Sequence, residues 1–271
     1  NYQNIKEVPL SIYNVAYLCC PDNQKEETLK YLVKNKKHVL VEKSMCCNLK
    51  EVKQVNEIAK KNKLILLENF QFRFHEQLDI IKKYIKRGSL GELRYIRSSF
   101  CFPPFKDKQN IRYKKELGGG SLLDAGAYPV KITQILLGLD LNVETSSLFY
   151  DSNYEVDIWG GAFIKQKSGS IFSEIAFGFD NYYQCNLEVI GTEGKIYTDR
   201  IFTAPSNYIS NIFYKNQTNK KIIKVKPNNH FKNMLSFFHS IILDKKNVEL
   251  EYVQNINQAR LLEEIKEKNT N

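Results

Sequence analysis

Asp124 and Tyr128 lie four residues apart, just behind the run Gly118-Gly119-Gly120. A glycine turn that opens into a helix puts positions i and i+4 on one face, about one turn apart. The carboxylate and the phenol can then reach one pocket, where such a pair handles protons. Lys43 is the third candidate. It ends the apolar segment His38-Val39-Leu40-Val41-Glu42-Lys43, far upstream. Each has a plainer alternative. Lys43 can be a lysine at a strand edge, Asp124 a cap for the helix, and Tyr128 a half-buried aromatic.

The elements that must position these groups can be read from pattern. Strands are expected over 15–20, 38–43 and 64–68, each a short apolar run bounded by polar residues. Between the first two, Leu29, Leu32 and Val33 recur at helical spacing. Between the second and third, Asn48-Leu49-Lys50-Glu51 reads as a capping box, with Asn48 capping and Glu51 reaching back. The order strand, helix, strand, helix, strand with short links implies a parallel sheet with right-handed crossovers. Ligands of such sheets sit beyond the carboxyl ends of the strands. Pro21, Glu42-Lys43 and Glu68-Asn69 should therefore line one crevice. A helix over 75–87, capped by Gly88, leads into a region of alternating strands over 93–100, 157–165, 170–177, 184–190, 195–199 and 221–225. Short connections there imply antiparallel pairing. The glycine-turn helix spans 122–137, and helices over 230–243 and 257–268 close the chain. A domain boundary is placed near residue 70.

The chain has 271 residues and a net charge of +10. Its lysines are spread out (Lys30, Lys34, Lys36 and Lys37, then Lys82, Lys83 and Lys86) rather than gathered into a block. That favours a solvated surface with some attraction for anionic ligands such as phosphates, and argues against nucleic acid. Six cysteines, including the adjacent pairs Cys19-Cys20 and Cys46-Cys47, fit neither zinc spacing nor a disulfide framework. Free thiols in a reducing compartment and no metal are expected. No apolar run reaches the roughly 18 residues that would span a bilayer. The chain opens Asn1-Tyr2-Gln3-Asn4 without a signal pattern. A cytoplasmic protein is expected.

With these residues in hand, the chain resembles the glucose-fructose oxidoreductase, inositol dehydrogenase and MocA (Gfo/Idh/MocA) family over nearly its whole length. Lys37 to Lys43 looks like the family's G-K-H-V-L-x-E-K-P segment. Gly118 to Tyr128 looks like G-G-G-x-L-x-D-x-G-x-H/Y, and Gly191-Thr192-Glu193-Gly194 like the G-T-E-G turn. The resemblance implies an α/β fold: an incomplete Rossmann-like parallel sheet over 1–70, then over 71–271 an α/β substrate and oligomerisation domain with an open, mainly antiparallel sheet. It implies NAD or NADP as cofactor and hydride transfer to or from a secondary alcohol or ketone of a sugar, sugar nucleotide or polyol. Lys43, Tyr128 and Asp124 would be catalytic. Lys43 would polarise the oxygen, and its charge would lower the Tyr128 pKa. Pro21, Glu42, Lys43 and Arg73 would touch the cofactor; Arg112, Asp124 and Tyr128 would touch the substrate. Arg73 has a plainer alternative as a surface ion-pair residue. Phe102-Pro103-Pro104, Arg112 and Glu116-Leu117-Gly118 are similar to members acting on nucleotide-linked sugars. A homo-oligomer through the second sheet is expected, with no membrane partner.

The chain departs from the family in three places. No G-x-G-x-x-G turn occurs in it, so about 60–70 residues, the usual size of two βα units, are expected to be absent. The alternative is a cofactor-free remnant serving as a binding or assembly subunit. Ser44 stands where the family has proline, the residue that allows a cis peptide at low cost. Either a trans bond that redirects Lys43 or a strained bond is expected. Lys25 sits near the position of a family histidine.

Overall fold

The structure is a computed structural model that describes residues 2–244 and 248–270. Three parallel strands come first: β1 (Val15–Leu18), β2 (His38–Glu42) and β3 (Leu66–Asn69), in the order β1-β2-β3. Helices α1 (Asp22–Lys34) and α2 (Leu49–Lys61) make the crossovers. Leu29, Leu32 and Val33 of α1 and Val52, Val55 and Ala59 of α2 pack with Val39 and Val41 of β2. Each of these leucines and valines contributes about 1.5–3 kcal/mol on burial, which helps a sheet this small hold its shape. The capping box differs in one bond. Asn48 accepts from Glu51 N, while the Glu51 carboxylate accepts from Cys47 N rather than from Asn48 N.

Helix α3 (Glu76–Lys86) leads to β4 (Leu93–Cys101). Helix α4 (Ala127–Leu137) follows, and then β5 (Leu141–Tyr150), β6 (Asp157–Gln166), β7 (Phe172–Gly178), β8 (Gln184–Gly191), β9 (Gly194–Thr198), β10 (Ser210–Asn216) and β11 (Lys220–Val225). Their order is β11-β10-β9-β8-β4-β7-β6-β5. Only β4 and β7 pair in parallel; the other neighbours are antiparallel. The fold is thus a small parallel sheet followed by an open, mainly antiparallel one, as expected.

Two strands escape pattern reading. In β5 a register shift between Val143 and Thr145 breaks the alternation. In β10 the sequence Ser-Asn-Ile-Phe-Tyr-Lys-Asn carries too few apolar residues to signal a strand. The last helix, α6 (Val248–Glu267), begins well before the expected 257. It buries Glu251, Asn255, Asn257 and Gln258 as well as Leu261 and Ile265, so its interior positions do not read as apolar. Asn255 Nδ2 donates to the Leu66 carbonyl, and Asn56 Nδ2 donates to the Tyr252 carbonyl. Through these bonds α6 returns to the first sheet. Helix α5 (His230–Asp244) also packs there, placing Met234, Phe238 and Ile241 against Leu40, Ile65 and Leu67.

Candidate active site

The chain enters α4 through a π-helical turn, Leu122–Gly126. Such turns are frequent at functional sites. Two glycines shape the approach. Gly118, at φ +81°, lies so close to the start of α1 that an added Cβ would meet Asp22 Cβ at 2.7 Å. Gly120, at φ +117°, lies against Asp157, whose Oδ1 would be 2.5 Å from a Cβ. Asp157 is the cap of the turn, because Oδ2 accepts from Ser121 Oγ at 2.7 Å and from Leu122 N at 2.6 Å. Asp124 is therefore not the capping residue.

Asp124 instead faces a cleft of about 770 Å³ between the two sheets. Pro21 and Asp22, where the link beyond β1 enters α1, and Glu42 and Lys43 from the end of β2, form one wall. Arg112, Asp124 and Tyr128 form another, and Tyr183, Arg200 and Thr203 close the far side. Lys43 Nζ donates to Asp124 Oδ1 and to the Asp124 carbonyl, both at 2.6 Å. Arg112 Nε donates to Asp124 Oδ2 at 2.6 Å. One carboxylate thus sits between two cations. The Lys43 ammonium also stands 5.2 Å from the centre of the Tyr128 ring. The peptide bond between Lys43 and Ser44 is cis.

Tyr128 is buried among Phe70, Phe100 and Phe202, with ring centroids at 5.6, 5.0 and 5.5 Å. Gln71 Nε2 lies 3.5 Å from its hydroxyl. Burial raises the Tyr128 pKa. Lys43 opposes the rise without overcoming it, so the net direction is up, not down as expected from the lysine alone. For Asp124 the balance goes the other way. Burial pushes its pKa up, but Lys43 and Arg112 outweigh that and hold it below the ordinary carboxylate value. Burial would depress Lys43, yet Asp124 and then Tyr128 more than restore it, and its pKa ends above normal.

Arg73 requires a correction. Its guanidinium makes two bonds to the Glu251 carboxylate, at 2.6 and 2.9 Å, in a different depression of the surface. It is an ion-pair residue joining the chain after β3 to α6. Glu68 and Asn69 do not line the cleft. Glu68 is turned back to accept from Met45 N at 2.8 Å, and Asn69 Nδ2 supports Glu42 from behind at 2.7 Å. Tyr17 also donates to Glu42. Reasoning from motifs missed Gln71, Arg200 and Asp157, which belong to no recognisable pattern. For Lys25 and Ser44 there was a signal, namely their departure from the family's segments.

A parallel βα unit facing an antiparallel sheet across such a cleft defines a two-part α/β enzyme. Residues 1–70 match the family model described as "Oxidoreductase family, NAD-binding Rossmann fold", and residues 79–197 match the "GFO/IDH/MocA C-terminal domain". The chain is similar to a dTDP-3,4-didehydro-2,6-dideoxy-alpha-D-glucose 3-reductase of Actinomadura kijaniata, 26% identical over 93% of this chain and 76% of that protein. An enzyme of the same name from Saccharopolyspora spinosa is 31% identical over 76% of this chain and 61% of that one. Among solved structures, a 3-ketoreductase from A. kijaniata, in complex with NADP and TDP-benzene, matches with a TM-score of 0.90 at 25% identity, covering 94% of this chain and 78% of that one. The chain belongs to the Gfo/Idh/MocA family of oxidoreductases.

Proposed function

We propose that the cleft transfers a hydride between NAD or NADP and a secondary alcohol or ketone of a sugar nucleotide, sugar or related polyol. Lys43, Asp124 and Tyr128 carry the proposal: they come from two different units and meet in one cleft beyond the strand ends. The bound nicotinamide supplies or accepts the hydride. Pro21, Glu42 and Lys43 would hold its ring end in this proposal, with Glu42 itself fixed by Tyr17 and Asn69. Arg73 is not part of that set, since its guanidinium is committed to Glu251.

The remaining chemistry belongs to the protein. Tyr128, its pKa raised, is a neutral phenol at ordinary pH and so is ready to donate its Oη proton to a substrate oxygen. This suits reduction of a ketone. Lys43 stabilises the charge that develops on the phenol and on the substrate oxygen. Asp124 keeps Lys43 charged and orients Arg112, whose outer guanidinium nitrogens, one held by a long 3.4 Å bond to Asn110 Oδ1, would donate to substrate hydroxyl or phosphate oxygens. Arg112 and Arg200 together suit a diphosphate, in keeping with relatives named for dTDP-linked sugars.

Residues 1–70 form the cofactor unit and 71–271 the substrate and oligomerisation unit in this proposal. Exposed Tyr150, Trp159, Phe213 and Ile222 on the strands of the large sheet support a homo-oligomer through that sheet. All six cysteines are free, which supports a cytoplasmic setting. Among the described residues no helix is long and apolar enough to cross a membrane. The test is titration with NADH and NADPH by nicotinamide fluorescence, followed by turnover of a dTDP-linked keto sugar. Failure to bind either dinucleotide sinks the proposal and favours the binding or assembly role.

A further inference from the structure

The loop behind β2 is gripped from two sides. On one side stands Lys25, in the first turns of α1, with 1% of its surface exposed. An ammonium has three protons to give. Those of Lys25 go to Asp22 Oδ1 at 2.6 Å, to the Glu42 carbonyl at 2.7 Å and to the Ser44 carbonyl at 2.7 Å. These two carbonyls flank Lys43 in the chain, so one buried cation ties its backbone at both ends. On the other side, Ser44 Oγ donates to the Leu123 carbonyl at 3.0 Å. Lys43 Nζ bonds the carbonyl and carboxylate of the next residue, Asp124. Consecutive residues of one unit are thus joined to consecutive residues of the π-helical turn that leads to Tyr128. A proline at position 44 has no hydroxyl and could not make this bond.

We propose that Lys25 and Ser44 are positioning residues for Lys43: Lys25 clamps its peptide frame from below, and Ser44 pins that frame to the turn carrying Asp124, so that the ammonium stays beside the Tyr128 ring. Lysine has a long, flexible stem, so its backbone must be fixed before its ammonium can be. A misplacement of about 1 Å costs on the order of a hundredfold in rate. The effect on turnover rests on the hydride-transfer proposal; the geometric claim does not.

The test compares Ser44→Ala, Ser44→Thr and Lys25→Met with the parent protein by two readouts. The first is kcat and KM with NAD(P)H and a dTDP-linked keto sugar. The second, made without ligands, is hydrogen exchange at the Lys43 ammonium in protein labelled with 15Nζ-lysine, its resonance assigned by its loss in Lys43→Arg. Ser44→Ala and Lys25→Met should lower kcat about 10–100-fold with KM little changed, and Ser44→Thr should recover most of the loss. Lys43 exchange should quicken about tenfold in the first two variants and stay slow in Ser44→Thr. Unchanged exchange in Ser44→Ala overturns the proposal, as does a Ser44→Thr variant no better than Ser44→Ala. If the parent protein does not turn over this substrate, the exchange data alone decide the positioning, while dinucleotide titration decides hydride transfer. If Lys25→Met does not fold, the Ser44 pair decides.

Discussion

Replacing Asp124 with asparagine removes the charge around which the cleft is organised. Its carboxylate is 21% exposed and lies 2.6 Å from both Lys43 Nζ, 11% exposed, and Arg112 Nε, 37% exposed. Asparagine keeps the shape and one acceptor, but takes from the buried Lys43 ammonium its directly paired counter-charge and leaves only the weaker influence of Asp22. Breaking a buried pair from one side costs about 3–5 kcal/mol. The Arg112 contact is screened by solvent and adds less than about 1 kcal/mol. Because Asp124 is not wholly buried, a loss of about 3 kcal/mol is expected at about pH 7. The sign of its pH dependence is fixed. In the parent protein the Lys43 pKa, depressed by burial but raised further by Asp124 and Tyr128, lies above its ordinary 10.5. Its contribution is complete below that value and is lost only as pH rises through the folded pKa. Without Asp124, burial dominates and the folded pKa drops below the unfolded one. The unfolded chain then binds more protons, and the variant's stability rises with pH. The deficit should therefore be widest near neutrality and narrow towards about pH 10. Urea unfolding followed by circular dichroism at several pH values measures it. A deficit below about 1 kcal/mol at neutral pH, the size typical of an exposed pair, or one that widens with pH, refutes the reasoning.

Tyr128→Phe keeps the ring among Phe70, Phe100 and Phe202 and loses only a hydroxyl whose bond to Gln71 is 3.5 Å long. Stability should change by less than about 1 kcal/mol, while kcat falls about 10²–10⁴-fold; a thermal melt and a rate assay separate the two. Arg73→Leu leaves Glu251, 3% exposed, without its partner. It should cost about 3–5 kcal/mol in denaturant unfolding with no change in cofactor KM, and a raised KM at intact stability would return Arg73 to the cofactor site. Burial, and then the neighbouring His230, lower the His75 pKa from 6.5 to about 4. The stability this reflects is present above pH 6.5 and is lost, by about 3 kcal/mol, as pH falls through the folded value. His75 caps α3 by accepting from Gln77 N, a role asparagine can take. His75→Asn should therefore flatten the unfolding profile between about pH 6.5 and 4, and an unchanged slope counts against the assignment.

Much of this protein was legible in its residues because local rules sufficed. The runs around Val39 and Leu66 are apolar on both faces, and only a buried parallel strand asks for that. Gly88 and Gly138 take the positive φ expected where their helices end. The spacing of Asp124 and Tyr128, and the place of Lys43 at a strand end, put these three in one cleft. Local rules failed where burial is polar. The first turns of α6 hide Glu251 and Asn255, so nothing apolar marks the helix there.

Only the tertiary structure decided which partner each charged group takes. Arg73 is drawn to Glu251, 178 positions away, and not to the cleft. The cap of the glycine turn comes from Asp157 on another strand, which frees Asp124 to bind Lys43 and Arg112. Sequence specifies the type and spacing of a group. Its charge state depends on how much water is removed and which opposite charges replace it, and both are settled only when distant segments pack. For this reason the Tyr128 pKa moves up despite the lysine beside it.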